Sequence, residues 1–164
     1  MEEAFRFETV GPERLGELMA FYRSLIGEPG CTWDETYPDP EQTRLDLENR
    51  EVRCLLDADG RIAGAVTLSG MEEDILSVPG AEPYADCLLP VRLGVRRDLW
   101  GRGLGARLFT GALDWARERG GSGLLFLVSR ENPRAKALYE RLGSRVIGPC
   151  RMYDEDFYLM VREL

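Results

Sequence analysis

The sequence contains no histidine in its 164 residues, although its composition is otherwise that of an ordinary globular protein. Imidazole is the base of Ser-His and Cys-His catalysis and a frequent zinc ligand, so its absence excludes these mechanisms. The sequence also lacks any apolar run near the ~20 residues that span a bilayer. Its first residues, MEEAFRFETV, lack the basic start and apolar stretch of a secretory leader. We therefore expect a cytoplasmic protein with no membrane partner.

The four cysteines, Cys31, Cys54, Cys87 and Cys150, form no C-x-x-C pair and have no histidine to complete a zinc set. We expect reduced, mostly structural thiols and no metal site. No internal repeat, low-complexity tract or flexible linker divides the chain, and its length is about that of one domain. The sequence therefore predicts a single domain over residues 1–164.

Acidic and basic residues are divided unevenly along the chain. Residues 1–88 contain 20 Asp and Glu against 7 Arg, a net charge of −13, whereas residues 89–164 contain 9 against 14 Arg and Lys, a net charge of +5. The basic second half either contains a binding site for a polyanionic ligand or merely reflects an uneven distribution of surface charge. The whole chain carries −8, and an acidic chain binds nucleic acid poorly because neutralising phosphates needs a basic stripe. We expect no nucleic-acid partner.

Hydrophobic periodicity and turn residues predict a mixed α/β fold. The predicted strands are 5–10, 52–56, 61–68, 88–95, 123–128, 145–147 and 157–161, and the predicted helices are 15–26, 39–49, 103–119 and 135–142. Residues 72–86 are expected to be irregular. We expect a mostly antiparallel mixed sheet of six to seven strands flanked by about four helices. Pro90 must lie at the start of its strand or on an unpaired edge.

A glycine-rich turn separates the predicted strand 88–95 from the next helix, and it reads Trp100-Gly101-Arg102-Gly103-Leu104-Gly105. Glycines let the backbone approach a ligand closely, and the free amides of a helix start attract an anion. The spacing is not the G-x-G-x-x-G of dinucleotide-binding folds, and no Gly-Lys-Ser/Thr follows. The turn is therefore either a phosphate cradle or a purely structural turn.

A second cluster, Asn132 to Gly143, follows the predicted strand 123–128. Asn132 is placed to cap the next helix, and Tyr139 lies two turns further on, on nearly the same helix face. A helix cap and a core tyrosine explain these residues separately. They do not explain why both follow a phosphate-cradle unit.

Together the two segments resemble the two signature motifs of the GNAT superfamily of acyl-CoA-dependent N-acyltransferases. These motifs are a strand ending L-x-V with an R/Q-x-x-G-x-G/A turn, and V-x-x-x-N-x-x-A-x-x-L-Y-x-x-x-G. The matching residues are Leu93, Gly94, Val95, Gly101, Arg102, Gly103, Leu104 and Gly105, then Val128, Asn132, Ala135, Leu138, Tyr139 and Gly143. Trp100 departs from the family, which usually has Arg or Gln there. Residues 33–38, W-D-E-T-Y-P, are similar to a segment of a bacterial branch of the family.

The resemblance implies a GNAT-like fold and one N-acetyltransferase domain that transfers an acetyl group from acetyl-CoA to a primary amine by direct attack. It implies that a backbone N–H near the family's β-bulge polarises the thioester carbonyl. Tyr139 would give its proton to the departing thiolate. Arg96, Arg97, Arg102 and Arg134 would make the region basic. The implied donor-binding residues are Leu93, Gly94, Val95, Gly101, Arg102, Gly103, Leu104, Gly105, Ala106 and Asn132.

The sequence leaves the acceptor, the acyl chain length, the general base and a homodimer open. The acidic first half favours a small cationic amine, and the alternatives are a protein or peptide amine, or a catalytically silent CoA-binding sensor. Leu127 stands where relatives that acetylate protein N-termini often carry a catalytic Glu, which weighs against that activity. The candidate proton acceptors are the acids Asp34, Glu35, Glu72, Glu73, Asp74 and Asp86.

Overall fold

A computed structural model describes residues 4–164, so the domain expected over residues 1–164 begins with three residues outside the described range. Residues 4–164 form seven strands and five helices. In chain order these are β1 Arg6–Thr9, α1 Leu15–Ser24, α2 Pro40–Glu48, β2 Val52–Leu56, β3 Ile62–Ser69, α3 Glu73–Leu76, β4 Leu89–Val95, α4 Leu104–Glu118, β5 Gly123–Ser129, α5 Pro133–Arg141, β6 Arg145–Met152 and β7 Glu155–Glu163. The predicted mixed α/β class is confirmed.

The strands are divided between two sheets, with the orders β1-β2-β3-β4 and β5-β7-β6. The pairs β1/β2, β2/β3, β5/β7 and β6/β7 are antiparallel, as expected. A parallel bridge links Leu88, the residue before β4, to Leu124 in β5. The Leu88 N–H donates to the Gly123 carbonyl at 2.9 Å, and the Leu125 N–H donates to the Leu88 carbonyl at 3.0 Å. Pro90 is thus the second residue of a strand that lies at the edge of its sheet, which agrees with both of its predicted positions.

The chain forms two compact units, and the segments of each are interleaved along the sequence. The first unit contains the chain up to residue 67 together with residues 92–108, and the second contains residues 68–91 and 109–164. In the first unit, α1 and α2 contribute Leu18, Tyr22 and Leu47 to a core that also contains Val52 and Leu56 of β2. Burial of these apolar side chains is the main stabilising contribution to this unit.

Three aromatic rings form part of the core of the second unit. The ring centroids of Phe109 and Phe126 are 5.5 Å apart, and each lies 5.0 Å from the centroid of Tyr139. Phe126 meets the other two rings edge to face, a favoured geometry because the positive ring edge faces the negative ring surface. This packing fixes the position of Tyr139 on α5.

Two helices begin as their sequences predict. Asp39 caps α2 by accepting a hydrogen bond from the Gln42 N–H at 2.8 Å, and Asn132 caps α5 by accepting from the Ala135 N–H at 3.1 Å. A proline follows each cap, where its missing N–H leaves no helical hydrogen bond unmade. None of the helices within residues 4–164 has the length and apolarity needed to cross a membrane.

The last two strands are longer than their sequences predict. Strand β6 continues to Met152 and β7 begins at Glu155, joined by a tight turn in which Tyr153 and Asp154 have φ of 55° and 59°. Such turns are usually marked by Asn-Gly or Asp-Gly, because glycine adopts positive φ without strain. The sequence carries neither, so the hairpin is not visible in it. The segment expected to be irregular, 72–86, contains the single helical turn of α3.

Two glycine-to-alanine substitutions are expected to change stability in opposite directions. A Cβ on Gly64 would lie 2.8 Å from Leu108 Cδ1 and 3.1 Å from the Gly94 carbonyl oxygen, whereas a Cβ on Gly16, at an exposed position of α1, would meet nothing within 4 Å. Gly64→Ala should lower the free energy of unfolding by ~1–3 kcal/mol. Gly16→Ala should raise it by ~0.5–1 kcal/mol because alanine is the better helix former. Urea unfolding of both variants measures the effects, and changes of the same sign would contradict the packing described.

Candidate active site

The glycine-rich turn is an open loop between β4 and α4 in the first unit. Gly101 and Gly103 have φ of 84° and 79°, which other residues adopt only with strain. A Cβ at either position would meet nothing within 4 Å. Both glycines are therefore required by the backbone conformation and not by crowding, and the surface above them is exposed.

The start of α4 presents backbone donors that the protein does not use. Within residues 4–164, the N–H groups of Gly101 and of residues 103–106 donate to no acceptor, and the first bond of the helix is from the Arg107 N–H to the Gly103 carbonyl at 3.2 Å. Unpaired N–H groups at a helix start carry partial positive charge and bind anions. This arrangement fits the phosphate cradle that the sequence predicts.

Trp100 anchors this loop to the end of β4. Its indole N–H donates to the Val95 carbonyl at 2.7 Å, and the Arg97 guanidinium carbon lies 4.2 Å from the centre of its ring. The cation over the ring adds an attractive contact. The residue that departs from the family pattern therefore holds the loop in place.

Arg96 and Arg97, which are expected to help make the region basic, form ion pairs with carboxylates. Arg96 contacts Asp57 at 3.2 Å and Asp98 at 2.8 Å, and Arg97 contacts Glu28 at 3.0 Å. The hydrogen bond from Arg96 is the main reason that the pKa of Asp98 is lowered. The positive charge of Arg96 and Arg97 is thus partly neutralised by neighbouring carboxylates.

Strand β4 carries the other residues that the sequence predicts in the first unit. Leu93, Gly94 and Val95 are half-buried and lie at the edge of the sheet, directly before the loop. The preceding residue, Arg92, has φ of 51°, a left-handed conformation in the middle of a strand. Such a residue interrupts regular pairing and re-aims its neighbours, as at a β-bulge. The structure therefore brings together residues 92–95 and 101–106.

The second unit holds the two predicted residues of α5. The Asn132 side-chain oxygen accepts the cap hydrogen bond, which leaves its NH₂ group for another acceptor. The Tyr139 hydroxyl forms no hydrogen bond within residues 4–164, and burial raises the pKa of Tyr139 to about 12. The ordinary structural explanation for Tyr139 would be a core tyrosine whose hydroxyl donates to a backbone carbonyl. In the described residues the Tyr139 hydroxyl makes no such bond. The hydroxyl stays protonated at neutral pH.

A cavity of about 280 Å³ lies in the second unit at the end of β5, beside the β6–β7 hairpin. It is lined by Ser129, Arg130, Glu131, Arg151, Asp154, Glu155 and Asp156. Four carboxylates therefore face two guanidinium groups, and the Arg151 guanidinium is already paired with Asp156 at 3.1 Å. A cavity of this composition attracts cations.

The structure argues against Asp34 as the proton acceptor. One oxygen of the Asp34 carboxylate accepts from the Thr36 N–H at 2.8 Å, the Thr36 hydroxyl at 2.7 Å and the Tyr37 N–H at 3.0 Å. The hydrogen bonds from Thr36 are the main reason that the pKa of Asp34 is lowered, which makes it a poor base. Its role is to hold the turn of residues 33–38. The other candidate acids, Glu35, Glu72, Glu73, Asp74 and Asp86, are exposed.

An ion pair that the sequence does not predict lies beside Leu93. The Arg92 guanidinium pairs with Asp46 of α2, and the two side chains are only 9% and 5% exposed. Burial favours the neutral form of Arg92, but Tyr37, Asp46 and Tyr22 outweigh it, so its pKa is raised. Burial raises the pKa of Tyr22 to about 12. The spacing of Thr43, Asp46 and Leu47 could have indicated that Asp46 lies on the buried face of α2.

Known proteins are similar to this chain in sequence family and in fold. Residues 18–144 match the model of the Acetyltransferase (GNAT) family. A GCN5-related N-acetyltransferase from Kribbella flavida is 22% identical, with 98% of each chain covered and a TM-score of 0.75. NAA60 of Arabidopsis thaliana in complex with acetyl-CoA is 16% identical, covering 98% of this chain and 100% of that one, with a TM-score of 0.77.

A third solved structure, a chimera of spermidine N-acetyltransferase SpeG from Vibrio cholerae and hSSAT, is 16% identical. It covers 97% of this chain and 95% of its own, with a TM-score of 0.71. At such identities these likenesses concern the fold alone. No curated protein has a significantly similar sequence.

The raised pKa of Tyr139 predicts a loss of stability at alkaline pH. The unfolded chain loses the Tyr139 proton near pH ~10, whereas the folded chain keeps it until pH 12 or so. The folded state therefore loses stability relative to the unfolded chain as the pH rises from ~10 to about 12. Tyr139→Phe should lose less stability than the wild type between pH ~9 and ~11, measured by urea unfolding. Equal losses in the two proteins would contradict the shift.

Proposed function

Because the chain belongs to the GNAT family of acetyltransferases, we propose that it transfers an acetyl group from acetyl-CoA to a primary amine by direct attack of the neutral amine. The family establishes an acyltransferase, and the donor, the acceptor and the site residues are the proposal. The observation that carries it is the set of N–H groups at Gly101 and residues 103–106 that donate to no acceptor in residues 4–164, a few residues after an edge strand. We further propose that the two units act as one N-acetyltransferase domain.

The residues of the first unit fit the donor. The edge of β4 at Leu93, Gly94 and Val95 offers backbone groups with which the pantetheine amides would pair as an added strand does. The amides of Gly101, Arg102, Gly103, Leu104, Gly105 and Ala106 would hold the pyrophosphate. Asn132 of the second unit is a further proposed donor contact through its NH₂ group. The donor's chemistry is that of a thioester, whose carbonyl a backbone N–H at the β4 bulge would polarise.

Tyr139 is the proposed catalytic residue, as a hydrogen-bond donor to the departing sulfur. A full proton transfer from a group with a pKa of about 12 to a thiolate whose thiol has a pKa near ~8.5 is uphill by roughly 5 kcal/mol. A hydrogen bond stabilises the developing negative charge without that transfer. The packing against Phe109 and Phe126 supports this role because it fixes the ring while the hydroxyl keeps its proton for the substrate.

The proposed acceptor is a small cationic amine. The acidic cavity of the second unit supports it, because carboxylates attract ammonium groups and raise their local concentration. The net charge of −13 in residues 1–88 supports it as well. The solved chimera of a spermidine N-acetyltransferase has the same fold, and a polyamine is an acceptor of this chemistry.

An amine panel tests the function. The wild-type chain is mixed with acetyl-CoA and polyamines, aminoglycosides, amino acids or peptides, and free thiol is measured. Thiol release with polycationic amines and little with neutral ones is the expected result. Release with peptides alone would point to a protein-modifying enzyme. Binding of acetyl-CoA with no release on any amine would point to a catalytically silent CoA sensor.

Two glycine variants test donor binding. Gly103 and Gly120 flank α4 with φ of 79° and 80°, and a Cβ at either meets nothing within 4 Å. Gly103→Val and Gly120→Val should therefore strain the backbone by a similar ~1–3 kcal/mol. Acetyl-CoA at ~100 times its Kd should stabilise the wild type and Gly120→Val by about 2.7 kcal/mol and leave Gly103→Val unchanged. An unchanged Tm of the wild type with saturating acetyl-CoA would overturn the donor assignment.

Tyr139→Phe tests the catalytic role, because it keeps the ring and deletes only the hydroxyl. We expect kcat to fall ~10²-fold while the Kd for acetyl-CoA is unchanged, since the hydrogen bond is made only as the sulfur departs. The control is Tyr84→Phe, which removes a hydroxyl that hydrogen-bonds to Arg145 in the same unit. A folded Tyr139→Phe protein with wild-type kcat would remove Tyr139 from the mechanism.

A further inference from the structure

Arg92 holds an unfavourable backbone conformation and a buried charge at the same position. Its φ of 51° places it in the left-handed region, which a residue with a long side chain adopts only when its surroundings fix it. Its guanidinium hydrogen-bonds to Asp46, and Asp46 is also held by the Gln42 side-chain NH₂ at 2.8 Å. The side chain is thus tied to α2 while its backbone holds a positive φ in the middle of β4.

The same guanidinium reaches the segment Trp33 to Pro38. Its second NH₂ donates to the Tyr37 hydroxyl at 3.2 Å, and its central carbon lies 6.0 Å from the centre of the Tyr37 ring. Tyr37 is 46% exposed, so its contact with Arg92 lies at the surface end of this network. Arg92 therefore connects β4 to both α2 and the W-D-E-T-Y-P segment.

Trp33 provides a second contact between the segment and β4. A Cβ on Gly94 would lie 3.4 Å from the Trp33 ring, so the absence of a side chain there lets the indole lie against the strand. The indole also packs edge to face on Tyr22 of α1, at 5.3 Å between ring centroids. The segment is therefore held at Gly94 by Trp33 and at Arg92 by Tyr37. These positions flank Leu93, the first of the proposed donor-binding residues.

We propose that Arg92 is a positioning residue that keeps the β4 bulge and the W-D-E-T-Y-P segment in register with each other. The inference rests on the proposed function, in which residues 93–95 pair with the pantetheine of the donor and a nearby backbone N–H of β4 polarises the thioester carbonyl. Asp46 and Tyr37 fix the side chain of Arg92, and the side chain fixes the backbone. Because the segment contacts β4 at Gly94 and Arg92, on both sides of Leu93, it would border the amine as the amine reaches the reacting carbonyl.

Three variants separate the parts of this network. Arg92→Lys keeps the charge but cannot contact Asp46 and Tyr37 together with one planar group. Arg92→Gly adopts positive φ without strain but removes both contacts. Tyr37→Phe removes only the hydroxyl that accepts from Arg92, on an exposed residue, so the fold is kept. Tyr84→Phe is the matched control, because Tyr84 forms the same kind of pair with Arg145, 5.6 Å from ring centre to guanidinium carbon, in the second unit.

The measurements are kcat, KM for the best amine of the panel, the Kd for acetyl-CoA, and amide hydrogen exchange of residues 93–95. Arg92→Lys and Arg92→Gly should lower kcat ~10²-fold, the cost of losing one well-placed oxyanion donor, with faster exchange at residues 93–95. Tyr37→Phe should raise KM for the amine several-fold with kcat near the wild-type value, and Tyr84→Phe should change neither.

A folded Arg92→Gly protein with wild-type kcat and wild-type exchange at residues 93–95 would overturn the inference, as would a Tyr37→Phe protein with unchanged KM for the amine. If the wild type releases no thiol with any amine, the proposed function fails and the exchange measurement decides alone. Faster exchange in Arg92→Lys then supports the positioning role, and unchanged exchange overturns it.

Discussion

A charge removed from water must be paired, and this requirement links the elements of the first unit. Asp46 faces inward from α2, and leaving a carboxylate buried without a partner costs several kcal/mol. The partner is Arg92, and its side chain reaches Asp46 from a strand residue at φ of 51°. The inward acid of α2 and the irregular backbone of β4 therefore explain each other. Neither would be expected if the other were absent.

Most of the fold follows from local patterns in the sequence. Strand β2 has the predicted bounds, α2 lies within the predicted range 39–49, and Asn132 caps α5 as predicted, because apolar spacing and capping are set by residues close together in the chain. The β6–β7 hairpin is the exception. Tyr153 and Asp154 adopt positive φ without glycine, and the pairing of the flanking strands stabilises a turn that neither residue favours.

The candidate site likewise has some features that the sequence shows and others that only the structure shows. The open glycines and the Asn132 cap are visible in the sequence because each depends on neighbouring residues. The pair of Arg92 and Asp46 joins positions far apart in the chain, and charged residues are usually found on the surface. Nothing local marks them as partners. For Arg96 the sequence is misleading in the other direction. It indicates a cation available to a ligand, but the fold places two carboxylates against the guanidinium.

Trp100 also gives the protein an optical signal of its own. Its indole is hydrogen-bonded to the Val95 carbonyl and covered by the Arg97 guanidinium, at the start of the loop that leads into α4. Indole emission depends on the charges and the polarity around the ring, and a bound anion would change both. The other two tryptophans differ in surroundings, since Trp115 is buried in α4 and Trp33 lies against Gly94. Emission from Trp100 is therefore expected to change when the loop binds an anion, without any added label.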